Sequence, residues 1–150
     1  MADSDLLALD NQVCFALYAA NRAVTARYRP LLAELGLTYP QYLVMLVMWE
    51  REDGKSALRV SDLGVRLRLD SGTLTPLLKR LEERGFLKRS RSSQDERVVT
   101  LALTARGSDL RERALAVPGR LLCDSGLEPG RVAALRDELR ALLSRLEEAG

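Results

Sequence analysis

Apolar residues recur every three or four positions along the first third of the chain. Leu6, Leu9, Val13, Leu17, Ala20, Val24, Tyr28, Leu31 and Leu35 make one stripe of a long helix. Pro30 withholds a backbone donor, so a kink is expected there, and Gly36 is placed to cap the end. The stripe is longer and more apolar than an edge helix of a small domain needs, and contact between subunits would explain it. Thr38 and Pro40 open a second helix, with Thr38 or Tyr39 near the N-cap and Pro40 in the first turn. From Tyr42 to Trp49 nearly every position is apolar, which marks the buried centre of the fold. Glu50 to Ser56, polar and containing Gly54, reads as a loop.

Ala57 to Val60 can form a short strand. Ser61 is placed as an N-cap for a short helix over Asp62 to Leu69, with Leu63 and Leu67 inward and Val65 as a further candidate. Leu69 to Ser71 is a turn into the helix that organises the chain, LDSGTLTPLLKRLEER. Leu74, Leu77, Leu78 and Leu81 share its inner stripe, Pro76, Lys79, Arg80 and Glu83 fall opposite, and Thr73 and Thr75 flank the N-terminal end. Pro76 is comfortable only in a first turn. The helix therefore starts as late as Thr73 to Thr75, or it gives up one hydrogen bond. Two short helices joined by a tight turn, the second with hydroxyls and cations outward, is the helix-turn-helix pattern, whose second helix can enter a major groove.

Gly85 ends that helix. Phe86 to Arg91 and Arg97 to Leu103 read as two strands around a polar SSQDE turn, a hairpin with arginines at its base and tip. Thr104 caps another helix with the stripe Leu110, Ala114, Val117 and Leu121 and a bend expected at Pro118. Asp124 to Pro129 is a loop, and Val132, Leu135, Leu139, Leu142 or Leu143, and Leu146 give a last amphipathic helix.

Composition narrows the chemistry. Length, 150 residues, suits one domain with a real core. Histidine is absent, which removes Cys-His and Ser-His-Asp nucleophile activation and every His-ligated metal site. The two cysteines, Cys14 and Cys123, cannot complete a zinc site and form no C-x-x-C pair. They are either buried packing residues or redox-active thiols. No metal and no cofactor are expected. The net charge of +2 means little as a total, but Arg84, Lys88, Arg89, Arg91 and Arg97 cluster against only Asp95 and Glu96, a patch suited to a polyanion. The N-terminus lacks a basic n-region and no apolar run approaches the ~20 residues of a membrane span, so a cytoplasmic protein is expected.

The element order resembles the MarR family of winged-helix repressors. Asp95 to Gly107, DERVVTLALTARG, resembles that family's wing signature D-x-R-x-x-x-x-x-L-T-x-x-G. A carboxylate bracing a guanidinium at a hairpin tip also suits insertion into a narrow minor groove. Within the family the chain is most similar to the organic-hydroperoxide-sensing, OhrR-like branch. LDNQVCFALY (Leu9 to Tyr18), YPQY (Tyr39 to Tyr42) and DSGTLTPLLKR (Asp70 to Arg80) carry that resemblance. It implies a mainly α (α+β) fold: a single winged helix-turn-helix domain over 1–150 with N- and C-terminal dimerisation helices. The DNA-binding lobe would span about 39–104, with the helix-turn-helix at about 61–84 and the wing at about 86–103. Residues 5–36 and 105–149 would supply the dimerisation helices.

The same resemblance implies that Cys14 is the peroxide sensor, that Tyr28 and Tyr39 support it, and that Cys123 is the resolving thiol of a two-cysteine member. Fourteen residues separate Cys14 from Tyr28 on one helix, roughly 21 Å at about 1.5 Å per residue, so Tyr28 can reach a thiol only in a second subunit. Tyr18, one turn after Cys14, can contact it within the chain. Phe15 and Leu17 would favour greasy organic hydroperoxides. For DNA, Ser71, Thr73, Thr75, Pro76, Lys79 and Arg80 would face the major groove, and Arg91, Asp95 and Arg97 the minor groove and phosphates. The expectation is a non-enzymatic homodimeric repressor of a double-stranded operator, induced by organic hydroperoxides. The rivals are a MarR-type regulator answering a small phenolic or another oxidant, and a thiol peroxidase.

Overall fold

The computed structural model describes residues 3–51 and 57–150. Within them the chain forms α1 (Asp3–Leu6), a 3-10 turn (Leu9–Asn11), α2 (Val13–Ala33), α3 (Tyr39–Glu50), β1 (Leu58–Arg59), α4 (Val60–Leu67), α5 (Ser71–Glu83), β2 (Leu87–Arg91), β3 (Val99–Leu103), α6 (Ala105–Ala114), α7 (Val117–Ser125) and α8 (Pro129–Ala149). It divides into two compact units, residues 1–115 and 116–150. Most of the loop expected over Glu50 to Ser56 lies outside the described residues; Glu50 itself closes α3.

The first helix is not continuous from Leu6. Amide side chains break it: Asn11 donates to the Asp5 carbonyl at 3.0 Å, and Gln12 donates to those of Leu6 and Ala8 at 2.7 and 3.1 Å. Side-chain donors here take carbonyls that a helix ladder would use. Downstream, Pro30 sits inside α2 without ending it. The helix closes instead where Gly36 turns left-handed (φ 72°), with the Leu37 N–H on the Leu32 carbonyl at 3.0 Å and the Gly36 N–H on that of Ala33 at 3.0 Å. Burial begins only at this end, with Leu31, Leu32, Leu35 and Leu37, while Leu6, Leu9, Val13 and Val24 stay exposed.

Thr38 and Gln41 form a reciprocal capping box that starts α3 with Pro40 in its first turn. The helix is the centre of the core, burying Tyr42, Val44, Met45, Val47, Met48 and Trp49. Its aromatic edge packs on α2: ring centroids of Tyr28 and Tyr39 are 5.0 Å apart, Tyr28 and Tyr42 5.7 Å, Tyr39 and Tyr42 6.4 Å. Burial, then the neighbouring phenols Tyr42 and Tyr39, push the Tyr28 hydroxyl up to about 12.

The helix-turn-helix is α4 and α5. Ser61 is not its cap: α4 begins at Val60, two residues earlier than expected, after extended Arg59, so Ser61 falls inside the first turn. Val65 is 80% exposed, pointing away from the core that buries Leu63, because the packed stripe of so short a helix holds little more than one side. Arg68 turns left-handed and stops the helix, and the Leu69 N–H bonds the Gly64 carbonyl at 3.0 Å. Asp70 then caps α5, accepting from the Thr73 N–H at 2.7 Å. This cap starts the helix at Ser71, so Pro76 lies in the second turn and one backbone bond is given up. Leu74, Leu78 and Leu81 are buried.

The sheet is antiparallel in the order β1-β3-β2, with Leu58 and Arg89 both opposite Leu101, Leu87 opposite Leu103, and Arg91 opposite Val99. Arg97 and Val98 belong to the turn rather than the strand, because both backbone N–H groups fold back onto Asp95. At the hairpin's base Thr104 caps α6, accepting from the Gly107 N–H at 3.0 Å and donating to the Gly85 carbonyl. Gly107 lies so close to the Phe86 carbonyl that a Cβ there would sit 2.0 Å from its oxygen, and the Gly107 carbonyl accepts from the Trp49 indole at 2.9 Å. Thr104 and Gly107 therefore fasten hairpin, α5 terminus and core helix at one point.

In the second unit the expected bend at Pro118 is a break: Leu115 and Ala116 separate α6 from α7, and Pro118 takes the second position of α7, where its missing donor costs nothing. The helix runs on to Ser125 and ends at left-handed Gly126, which shortens the expected 124–129 loop to residues 126–128. The α8 stripe, Leu135, Leu139, Leu142, Leu143 and Leu146, is exposed.

Two outcomes follow. Gly107→Ala must displace backbone, and urea denaturation should record a loss of about 2 to 3 kcal/mol; a loss within measurement error contradicts the lock. An unfolded phenol releases its proton near 10.0 and Tyr28 only near 12, so between those values the unfolded state binds fewer protons and stability falls as pH rises. Tyr28→Phe should make that alkaline fall shallower, and an unchanged pH slope would contradict the buried phenol.

Candidate functional site

Cys14 occupies the second position of α2 and is exposed. Its place in the first turn sets it among backbone N–H groups that have no carbonyl one turn back within the helix. Tyr18, one turn on, is exposed, and its hydroxyl accepts from Arg22 at 3.4 Å while the same guanidinium lies 5.6 Å from the ring centroid. Tyr28 and Tyr39 are brought together, but at the other end of α2 from Cys14. Cys123 is exposed on α7, in the second unit. Among the described residues no group of three or more acidic or cysteine side chains could hold a metal ion, and no helix is long and apolar enough to cross a membrane.

The outward side of α5 is as the periodicity requires: Ser71, Thr73, Thr75, Pro76, Lys79 and Arg80 are all exposed. At the hairpin tip Arg97 donates from Nε and Nη2 to the two Asp95 oxygens at 3.2 and 3.3 Å, a two-pronged brace on a side chain 91% exposed. Hydrogen bonds from the Arg97 side chain and backbone hold the Asp95 carboxyl below the usual range. Arg91 spans the hairpin, donating to the Glu96 carbonyl at 2.8 Å.

The cationic patch is thinner than the sequence implies. Arg89 is committed inward: its backbone N–H and guanidinium donate to Glu82 of α5 at 2.8 and 3.2 Å, tying hairpin to helix and holding the Glu82 carboxyl low. Arg84 stacks 5.2 Å from the Phe86 ring centroid and lies over Gly36. Two further residues escaped sequence reading. Tyr42 joins the phenol cluster, which its position one turn after Tyr39 could have signalled. The left-handed backbone of Arg68 had no signal, since glycine is the residue that announces such a turn.

Residues 26–113 match the family model described as transcriptional regulator SarA/Rot. The organic hydroperoxide resistance transcriptional regulator of Bacillus subtilis is 45% identical over 144 residues, covering 96% of this chain and 95% of its own. The structure of reduced AbfR bound to DNA, AbfR being a Staphylococcus epidermidis protein, superimposes with a TM-score of 0.77 at 33% identity, over 97% of this chain and 99% of that one. AbfR with its disulfide formed gives 0.63 at 35% identity, over 90% and 92%. Wild-type MarR of E. coli, 24% identical with a TM-score of 0.68 over 88% and 97%, shares the fold. With a capped reading helix, a braced hairpin and these relatives along nearly its whole length, the chain belongs to the MarR family of winged-helix transcriptional regulators, in the OhrR-like branch.

Proposed function

We propose that the chain acts as a homodimeric repressor that grips a double-stranded operator while Cys14 is reduced and releases it when an organic hydroperoxide oxidises that thiol. The observation that carries this reading is the layout of α2. An exposed thiol stands at its first turn and a packed pair of phenols near its last, about 21 Å away along the axis. A second copy with its α2 antiparallel brings the phenols of one chain to the thiol of the other. The surface between them supports such pairing: an open groove of about 700 Å3 along α2, edged by Phe15, Tyr18 and Arg22, with Val13 also exposed on the same helix. Residues 5–36 and 105–149 then serve dimerisation, and the lobe of about 39–104 serves DNA.

The chemistry is that of a stabilised thiolate. Hydroxyls of Tyr28 and Tyr39 from the partner, and of Tyr18 from the same chain, donate to it. Its sulfur attacks the O–O bond; a sulfur–oxygen bond forms, the peroxide leaves as an alkoxide that takes up a proton, and sulfur is oxidised to the sulfenic acid. Apolar Phe15 and Leu17 favour organic over hydrogen peroxide. The Cys123 thiol then displaces water from the sulfenic acid and closes a disulfide, which moves the two α5 helices out of register with successive turns of DNA. Ser71, Thr73, Thr75, Pro76, Lys79 and Arg80 face the major groove; Arg91 and Arg97, the latter set by Asp95, meet phosphates and the minor groove. The B. subtilis relative is named for organic hydroperoxide resistance, and AbfR has been solved both reduced on DNA and as a disulfide.

A gel shift on the DNA upstream of its own gene, with and without cumene hydroperoxide, tests the reading. Cys14→Ser should bind as the parent does and stay bound with peroxide; release of the serine variant would remove Cys14 as the sensor. Cys123→Ser should abolish the disulfide-linked dimer on non-reducing gels, and its persistence would remove the resolving role.

A further inference from the structure

Among the described residues Arg68 alone, other than glycines, holds a left-handed backbone, φ 56° and ψ 43°. The other left-handed positions, each just beyond a helix, are glycines: Gly36, Gly85 and Gly126. A side chain in this conformation is strained and glycine is not. Strain of this kind persists where a side chain is needed at the spot. Arg68 sits between α4 and α5 and lines a cleft of about 580 Å3 that also takes in Ser61, Ser71 and Arg97. Two arginines, Arg68 from the helix-turn-helix turn and the Asp95-braced Arg97 from the hairpin tip, thus border one cleft with two serines. Asp70, also on its wall, is occupied in capping Thr73. Planar forked donors from separate elements, with hydroxyls beside them, match the non-bridging oxygens of a phosphodiester.

We propose that Arg68 is a DNA-backbone ligand: it holds a phosphate of the duplex in the cleft between the reading helix and the wing. The proposal rests on the DNA-binding reading above and adds a contact that positions the duplex without reading its sequence. The backbone strain at Arg68 is the structural consequence of keeping a guanidinium where the turn itself calls for glycine.

The test uses the full-length reduced protein, fluorescence anisotropy, two duplexes (the region upstream of its own gene and an unrelated sequence) and a salt series. Arg68→Gly should melt at the same or a higher temperature yet bind both duplexes more weakly, about fivefold per arginine removed near 150 mM salt. The slope of log affinity against log salt should become shallower by about 0.9 per arginine. Arg68→Lys should restore most of that slope. Unchanged affinity and slope in Arg68→Gly overturn the proposal. So does weakening on the upstream duplex alone, which would make Arg68 a base reader, and so does a lowered melting temperature, which would make it a structural pin. A parent protein that binds neither duplex overturns the DNA-binding reading itself.

Discussion

A helix keeps its side chains at fixed heights, and the rest of the arrangement depends on that constraint acting on α2. Val13 to Ala33 run as one helix despite Pro30, so the backbones of Cys14 and Tyr28 stay about 21 Å apart along the axis, beyond what either side chain can span. The phenols cannot serve their own thiol. Their packing against each other and against α3 fixes them at the buried end of the helix, while the thiol end is left exposed along with the apolar residues leading into it. On the proposed reading the thiol and the phenols form one site that a single copy leaves incomplete. A second copy completing it would make the oxidation state of sulfur a property of the contact between chains, as a regulator that grips two half-sites needs.

The DNA-facing half is built for rigidity. Glu82 and Arg89 join the reading helix to the hairpin, and Thr104 and Gly107 join the hairpin's base to the end of α5 and, through Trp49, to the core. The L-T-x-x-G portion of the wing signature is thus a fastening, while its D-x-R portion braces an exposed arginine at the hairpin tip. Helix, hairpin and core helix are tied to one another, so in the proposed mechanism a shift imposed at a dimer contact would move the proposed reading surfaces without bending them. Arg68, at the turn between the two short helices, is held in a costlier backbone than a glycine would be there, which is the observation behind its proposed contact with the duplex.

Much of this was legible in the residues. Leucine spacing placed α5, and the outward set from Ser71 to Arg80 is exposed as read. The Thr38 and Thr104 caps and the Asp95–Arg97 brace followed from side-chain chemistry at short range. What was not legible depended on competition or on distance. Periodicity ran the first helix straight through Asn11 and Gln12, because a hydrophobic stripe does not register side-chain amides capturing carbonyls. The Ser61 cap and the inward Val65 failed because so short a helix has its bounds set by its neighbours. Arg89 counted as a surface cation until the fold supplied Glu82, seven residues back and on another element. The left-handed arginine could not be read at all, since an ordinary residue in that conformation leaves no compositional trace.

The central claim, a thiol served by the other chain, is tested most directly by mixed dimers. One protomer carries Cys14→Ser and the other carries Tyr28→Phe with Tyr39→Phe, and sulfenic acid formation at the single remaining Cys14 is followed by trapping and mass spectrometry. That cysteine belongs to the chain lacking both phenols but faces a partner that keeps them. Oxidation at the rate of the parent dimer is the expected result. Oxidation as slow as in a dimer lacking both phenols on both chains would place the support within the chain and contradict the account.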